Sequence, residues 1–415
     1  MALIAEAVSA RAPGDLFNRR CVLLCSTALI GVEILVFLFM VAGTHGLIVP
    51  LPKPATTDFV SFYAAGMLAD EGRPDLAYDA ARHHDAEQRA TAVGIDHNFF
   101  YYPPVFLIVC AALARLPYLG AFVLFEVITL AFYLLTVRQI LRGSDWTALL
   151  PVVAFPAVFW NFGFGQNGFL TAGLFAAGTL LVDCRPLVAG MLFGLLCYKP
   201  QFALLVPVAL VAGRHWRALL AALAAAVALC VLSLGLFGWD TWHSFIVAAV
   251  GSSTVYATGR IPFSGYINPF GAVRLLGGDP NAAYAVQAVA MLAAASLVAF
   301  AWRRALPLPI RAATLAAATL VAAPLALVYD LLLGGVAALW LTIDGVRAEL
   351  SAREKFGLFA LFLLSLSPRS LAEYSHVPVG AVIVLGLAAI VAARTLRAAA
   401  ASEPEAAGLA AASRP

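Results

Sequence analysis

Residues 21–42 read CVLLCSTALIGVEILVFLFMVA, an apolar run in which Glu33 is the one charged residue. As a helix it extends about 33 Å at 1.5 Å per residue, enough to cross a hydrocarbon core of about 30 Å. Arg11, Arg19 and Arg20 precede it and no small-residue cleavage site is evident, so it is expected to be a retained first span, not a cleaved signal. Further apolar segments fall at about 102–117, 119–140, 147–163, 168–182, 186–197, 201–213, 217–237, 281–301, 311–328, 330–343, 356–367 and 378–393. In lipid each segment must satisfy its own backbone groups, so these segments are helices. The chain as a whole agrees: 62% of its 415 residues are hydrophobic and only 12% charged, with a mean hydropathy of +0.91. A soluble domain of this length needs far more polar surface. Soluble and disordered classes are excluded, and the fold class is an all-α polytopic membrane protein.

The net charge of +3 does not argue for nucleic acid. Cys21, Cys25, Cys110, Cys184, Cys197 and Cys230 lie in or beside apolar segments, which fits neither a disulfide framework nor zinc spacing. Basic residues set the orientation. Arg11, Arg19 and Arg20, then Arg214 with Arg217, Arg303, Arg304 and Arg311, then Arg347, Arg353 and Lys355, then Arg394 and Arg397, mark the cytoplasmic side. Both termini then face inward, which requires an even number of crossings. The thirteen apolar segments therefore reduce to about twelve transmembrane helices, with one segment re-entrant or two joined as a broken span; 186–197 and 201–213 are notably short. Residues 43–100 carry Asp58, Asp70, Glu71, Asp75, Asp79, Asp85, Glu87 and Asp96 against Lys53, Arg73, Arg82 and Arg89, the balance of an outer loop. The aromatic, Gly/Pro-rich stretch 238–280 falls on the same face. Residues 1–397 form one domain, and the Ala/Glu/Ser-rich stretch 398–415 reads as a disordered cytoplasmic tail.

Polar residues at the edges of these segments are the candidates for chemistry. After Asp58, residues Phe59, Phe62, Tyr63, Gly66 and Met67 recur at helical spacing, predicting an interfacial helix that ends at Asp70-Glu71-Gly72-Arg73-Pro74. Asp58 or Thr57 is then either an N-cap or, for Asp58, a reactive carboxylate; the two are compatible. Tyr101-Tyr102-Pro103-Pro104 reads as an interface anchor and helix start. The break Gly165-Gln166-Asn167-Gly168 hints at a polar cavity, because irregular backbone at membrane depth needs one. Lys199, between Tyr198 and Pro200-Gln201, either snorkels or meets an anion such as phosphate; Arg260 is a second candidate cation. Tyr329-Asp330 opens a span, where the acid is functional or ends a helix. Glu33 and Glu126 lie within spans and are equally read as interhelical hydrogen-bonding groups. His83, His84, Asp85, Glu87, Asp96 and His97 offer metal ligands in one loop, but adjacent histidines on a helix diverge by about 100° and the spacing matches no closed site. No metal or other cofactor is expected, and no nucleotide-binding glycine fingerprint is present.

In this order, Thr57-Asp58-Phe59 through Gly66, Tyr102-Pro103-Pro104, Gly165-Gln166-Asn167-Gly168, Tyr198-Lys199-Pro200-Gln201 and Tyr329-Asp330 resemble glycosyltransferase family 87 over about residues 15–395. These are polyprenyl-phosphate-dependent membrane enzymes of the GT-C class that include α-1,2-mannosyltransferases. The resemblance implies that Asp58 is the catalytic base and that Lys199 lies near the lipid phosphate. It implies a polyprenyl-phosphate-sugar donor and a lipid or glycan acceptor, with mannose the favoured sugar. Ala323 and Leu325 depart from the Ser-Pro-Tyr-like start that members often carry before the Tyr-Asp pair. A carboxylate to deprotonate the acceptor, cations for the departing phosphate and an apolar groove suit such a donor, and one base opposite the leaving group gives inversion. Arg260, Tyr63, Tyr101, Tyr102, Gln166, Asn167, Gln201, Tyr329 and Asp330 complete the expected substrate-binding set. The site is expected to face the periplasm or exterior of the inner or plasma membrane. A lipid-linked-sugar transporter or flippase is the rival reading, since broken helices and intramembrane charge serve it equally; a non-catalytic scaffold is a third.

Overall fold

The computed structural model describes residues 19–45, 48 and 54–412; Arg11 and Lys53 lie outside them. Among the described residues the chain is helical, with two isolated β-bridges, His45 to Ile48 and Tyr266 to Leu327. In chain order the α-helices are α1 (Arg19–Ala42), α2 (Phe59–Asp70), α3 (Ala80–Ala90), α4 (Pro104–Ala114), α5 (Tyr118–Ile140), α6 (Leu150–Val153), α7 (Pro156–Phe164), α8 (Gly168–Leu181) and α9 (Pro186–Leu195). There follow α10 (Val206–Ala212), α11 (Trp216–Ala257), α12 (Pro269–Leu275), α13 (Pro280–Arg303), α14 (Leu308–Ala322), α15 (Leu331–Arg347), α16 (Ala352–Leu364), α17 (Pro368–Ser375) and α18 (Val379–Ala412).

Ion pairs mark one end of the bundle. Arg19 meets Asp145; Arg311 bonds Asp183 at 2.6 Å; Arg394 bonds Asp344 at 2.7 Å, and Arg397 bonds Glu354 at 2.7 Å. Thr314 and Thr395, 2.8 Å apart, tie α14 to α18 near that end. At the other end the start of α5 meets the start of α2, through Tyr118 and Thr57 at 3.2 Å, and the end of α7 meets Asp58. Helices running between the two ends alternate in direction, as short connections require.

Six helices are long and apolar enough to cross a membrane, or eight if each of two bent pairs, at 64° and 79°, is one span. This falls short of the twelve that the sequence predicts. The reason is length: α2, α4, α8 and α14, and the stretches Pro186–Tyr198 and Pro200–Ala212, are apolar but only 10–17 residues long. Segment 102–117, read as apolar enough to be a span, forms a helix of only 11 residues. Its helix α4 packs on α2 so closely that a Cβ on Gly66 would fall 2.1 Å from the Cys110 carbonyl oxygen, and Tyr63 bonds the Leu116 carbonyl at 2.8 Å.

The interfacial helix predicted after Asp58 forms as α2, but it is buried on nearly every side: Phe59, Val60, Phe62, Ala64, Ala65 and Leu68 are all covered. Helix α11 changes direction at Gly238 (φ 75°, ψ 171°), where the sequence places the boundary between span and outer stretch. Beyond it the helix continues, and Phe245 packs on Tyr78 at 5.7 Å. The final helix runs on through residues 398–412, where alanine's helix preference acts on a stretch expected to be disordered; 413–415 lie outside the described residues.

Two glycines explain how the short α9 is held. A Cβ on Gly190 or Gly194 would sit 2.2 Å or 2.4 Å from carbonyl oxygens of Ala218 and Ala222 in α11, the close backbone approach that small residues at i and i+4 permit. Gly194→Leu is therefore expected to separate α9 from α11 at a cost of about 1–3 kcal/mol. A lowered melting temperature in detergent would register it; an unchanged one would refute the packing.

Candidate functional site

The site is built where two breaks in the helices meet the start of α2. Asp58 stands just before α2 with helical backbone angles (φ −62°, ψ −17°), and its side chain makes no capping hydrogen bond. Thr57 does not cap either: its hydroxyl lies against Tyr118. The carboxylate instead accepts a 2.9 Å bond from the Gln166 side-chain amide, while the Asp58 N–H donates to the Phe164 carbonyl at 2.8 Å. Gln166 is placed by the turn that ends α7. Gly165 there adopts φ 67°, a conformation that costs an L-residue roughly 1–2 kcal/mol, and Asn161 donates to the Gln166 carbonyl at 2.9 Å. Burial raises the Asp58 pKa; the Gln166 bond and the charge of Arg369 pull it part of the way back.

A second group adjoins the first through Asn167. Lys199 sits between two 3-10 turns, Leu196–Tyr198 and Pro200–Phe202, at the tip of the α9–α10 hairpin. It is 3% exposed, so snorkelling does not describe it. Its ammonium donates to Asp330 at 2.6 Å and to Asn167 at 3.1 Å, and lies 5.3 Å from the centre of the Tyr329 ring. Asp330 also accepts from the Leu327 N–H at 3.0 Å. The lysine charge is thus compensated within the protein.

The remaining sequence candidates divide. Tyr102 joins the first group, with its hydroxyl 3.5 Å from Gln166 and its ring stacked on Tyr198; burial raises the pKa of that hydroxyl. Tyr63 donates its hydroxyl to the Leu116 carbonyl and makes no hydrogen bond to Asp58 among the described residues. Tyr101 stacks on Phe99 and meets Tyr256; burial raises its pKa and the charge of the exposed Arg260 lowers it. Gln201 makes no side-chain hydrogen bond among the described residues. Glu126 accepts from Asn161 at 3.4 Å, an interhelical bond.

Sequence reasoning missed Arg369 and Asn161. Arg369, at the start of α17, is exposed, makes no hydrogen bond or ion pair among the described residues, and acts on Asp58 by charge. With Trp160, Phe164 and Val328 it borders a cavity of about 50 Å³. The polar break Ser365-Leu366-Ser367-Pro368 is the signal that could have flagged it. Asn161 is fully buried and caps the Gly168 N–H at 2.7 Å; a lone Asn in an apolar segment was its only mark.

The sequence profile of glycosyltransferase family 87 matches residues 100–329, more than half of the chain. The protein belongs to glycosyltransferase family 87. It is therefore a membrane glycosyltransferase, which acts on a sugar donor and an acceptor. No curated protein and no solved structure matches it. Within this family member the matched region holds Tyr102, Gln166, Lys199 and Tyr329. Asp58 and Arg369 lie outside that region and are joined to it by the Gln166 bond and the wall of the small cavity.

Proposed function

We propose that this glycosyltransferase moves a sugar, mannose by preference, from a polyprenyl-phosphate donor to a lipid or glycan acceptor at the outer membrane face, with inversion. The observation that carries the reading is the Asp58 carboxylate, free of any capping role and aimed by the Gln166 amide at 2.9 Å. As base it takes the acceptor hydroxyl's proton. The acceptor oxygen forms its bond to the anomeric carbon, the bond from that carbon to the phosphate oxygen breaks, and the lipid phosphate leaves with the electron pair. Because Lys199 is already paired with Asp330, we assign the compensation of the leaving phosphate to Arg369, with Lys199 and Tyr329 shaping the wall beside it and Arg260 and Tyr101 on the rim.

Taking each bent pair as one pass, and the shorter apolar helices other than α2 and α4 as passes too, would give twelve runs, the number expected of a GT-C-type bundle. Arg19, Arg311, Arg394 and Arg397 collect at the end opposite Asp58, which under the positive-inside rule supports a reading with Asp58 on the outer face of the plasma or inner membrane.

Arg369→Gln is expected to lower kcat by about 10²–10³-fold, the range for losing one group that stabilises developing charge. It also removes a charge that lowers the Asp58 pKa, so the acid limb of the rate profile moves to higher pH. A slowed enzyme with an unmoved limb would separate Arg369 from Asp58.

A further inference from the structure

We propose that His83, Glu87 and His97 form a binding site for a zinc-class divalent cation that pins α3 to the returning loop beside the helix that follows Asp58. His83 and Glu87, one turn apart on α3, share a face, and the loop after α3 returns His97 to it. The ligand atoms of the three lie within 4.8 Å of one another. His83 Nδ1 is 3.2 Å from His97 Nε2 and 3.7 Å from a Glu87 oxygen. Tetrahedral ligands about 2.05 Å from a zinc ion stand about 3.4 Å apart, so a cation fits among these atoms with small adjustment.

The surroundings are those of ligands held in place. With the Nε2 proton of His83 donated to the Ser61 carbonyl at 3.0 Å, Nδ1 is left with its lone pair turned toward the Glu87 oxygen and the His97 ring. This is the arrangement in which an outer hydrogen bond fixes the tautomer of a metal-binding histidine. Glu87 is fully buried, and the Asn98 N–H donates to its two oxygens at 3.1 and 3.2 Å. His83 and His97 also border a cavity of about 210 Å³ with Tyr101, which leaves room for a water or a further ligand at the fourth position. Two imidazoles and a carboxylate suit zinc better than the all-oxygen shells of magnesium or calcium. The role follows from the chain path. The cation would join α3 and the loop leading to Phe99–Tyr102 and, through the Ser61 carbonyl, the first turn of α2.

The test uses the full-length protein in detergent, stripped with chelator and then titrated with Zn²⁺, Co²⁺ and Mg²⁺. Expected are one zinc per chain by elemental analysis, a melting temperature raised by Zn²⁺ and lowered by chelator, a visible Co²⁺ spectrum of tetrahedral type, and no response to Mg²⁺. His97→Gln and Glu87→Gln should each weaken Zn²⁺ binding by at least about tenfold while far-ultraviolet dichroism stays unchanged. Wild-type protein that takes up no zinc and shows no thermal response, or uptake equal in both variants, overturns the site. No transfer assay enters, so the result stands apart from the role of Asp58.

Discussion

Asp58→Asn is expected to reduce turnover by about 10²–10⁴-fold, the range contributed by a positioned general base, while the protein remains folded and binds its donor. Asparagine keeps the shape of the side chain and an oxygen to accept the Gln166 bond, so the change isolates basicity from geometry. The wild-type pH profile carries the same information. Burial raises the Asp58 pKa, and a base works only when ionised. The rate should therefore be lost as pH falls through a value above the ordinary aspartate range and be retained above it. Near-wild-type turnover in Asp58→Asn, or an acid limb at the ordinary aspartate value, would exclude the assignment.

The second large effect is on stability. Lys199 and Asp330 are 3% and 4% exposed and bonded at 2.6 Å, so Lys199→Met strands a buried carboxylate. Breaking one side of a buried pair costs about 3–5 kcal/mol, enough to lower the unfolding midpoint in detergent sharply. Asp330→Asn combined with Lys199→Met should recover most of the loss, because asparagine remains neutral and can still accept from the Leu327 N–H. A Lys199→Met protein as stable as wild type would show that the pair does not hold the two breaks together, and Lys199 would then be free to serve an anion directly.

Much of this arrangement can be read from the chain, and the gaps have physical causes. The all-helical membrane class follows from the long continuous apolar runs, because a helix satisfies its backbone within one such segment. Gln166, Asn167, Lys199 and Asp330 each stand out as polar residues breaking apolar runs. Their pairing does not, since Lys199 and Asp330 are 131 positions apart and no local rule joins them. Pro104–Ala114 is apolar enough to pass for part of a span, and its close packing on Gly66 is not legible in the sequence. Arg369 escaped because a single arginine after a Ser-Pro break resembles loop decoration until the fold brings its charge to Asp58. The neighbours His83 and His84 diverge on a helix, and no local rule brings His83 and Glu87 within 4.8 Å of His97, which comes from the returning loop.

In the proposed reaction one carboxylate drives displacement of a lipid phosphate from the anomeric carbon. The most direct measurement is nuclear magnetic resonance of the anomeric linkage formed when purified protein is given a polyprenyl-phosphate sugar of known configuration and an acceptor alcohol. The expected product has the opposite configuration and forms from the lipid donor, not from a nucleotide sugar. A product that retains the donor's configuration, or transfer from the nucleotide sugar alone, would contradict it.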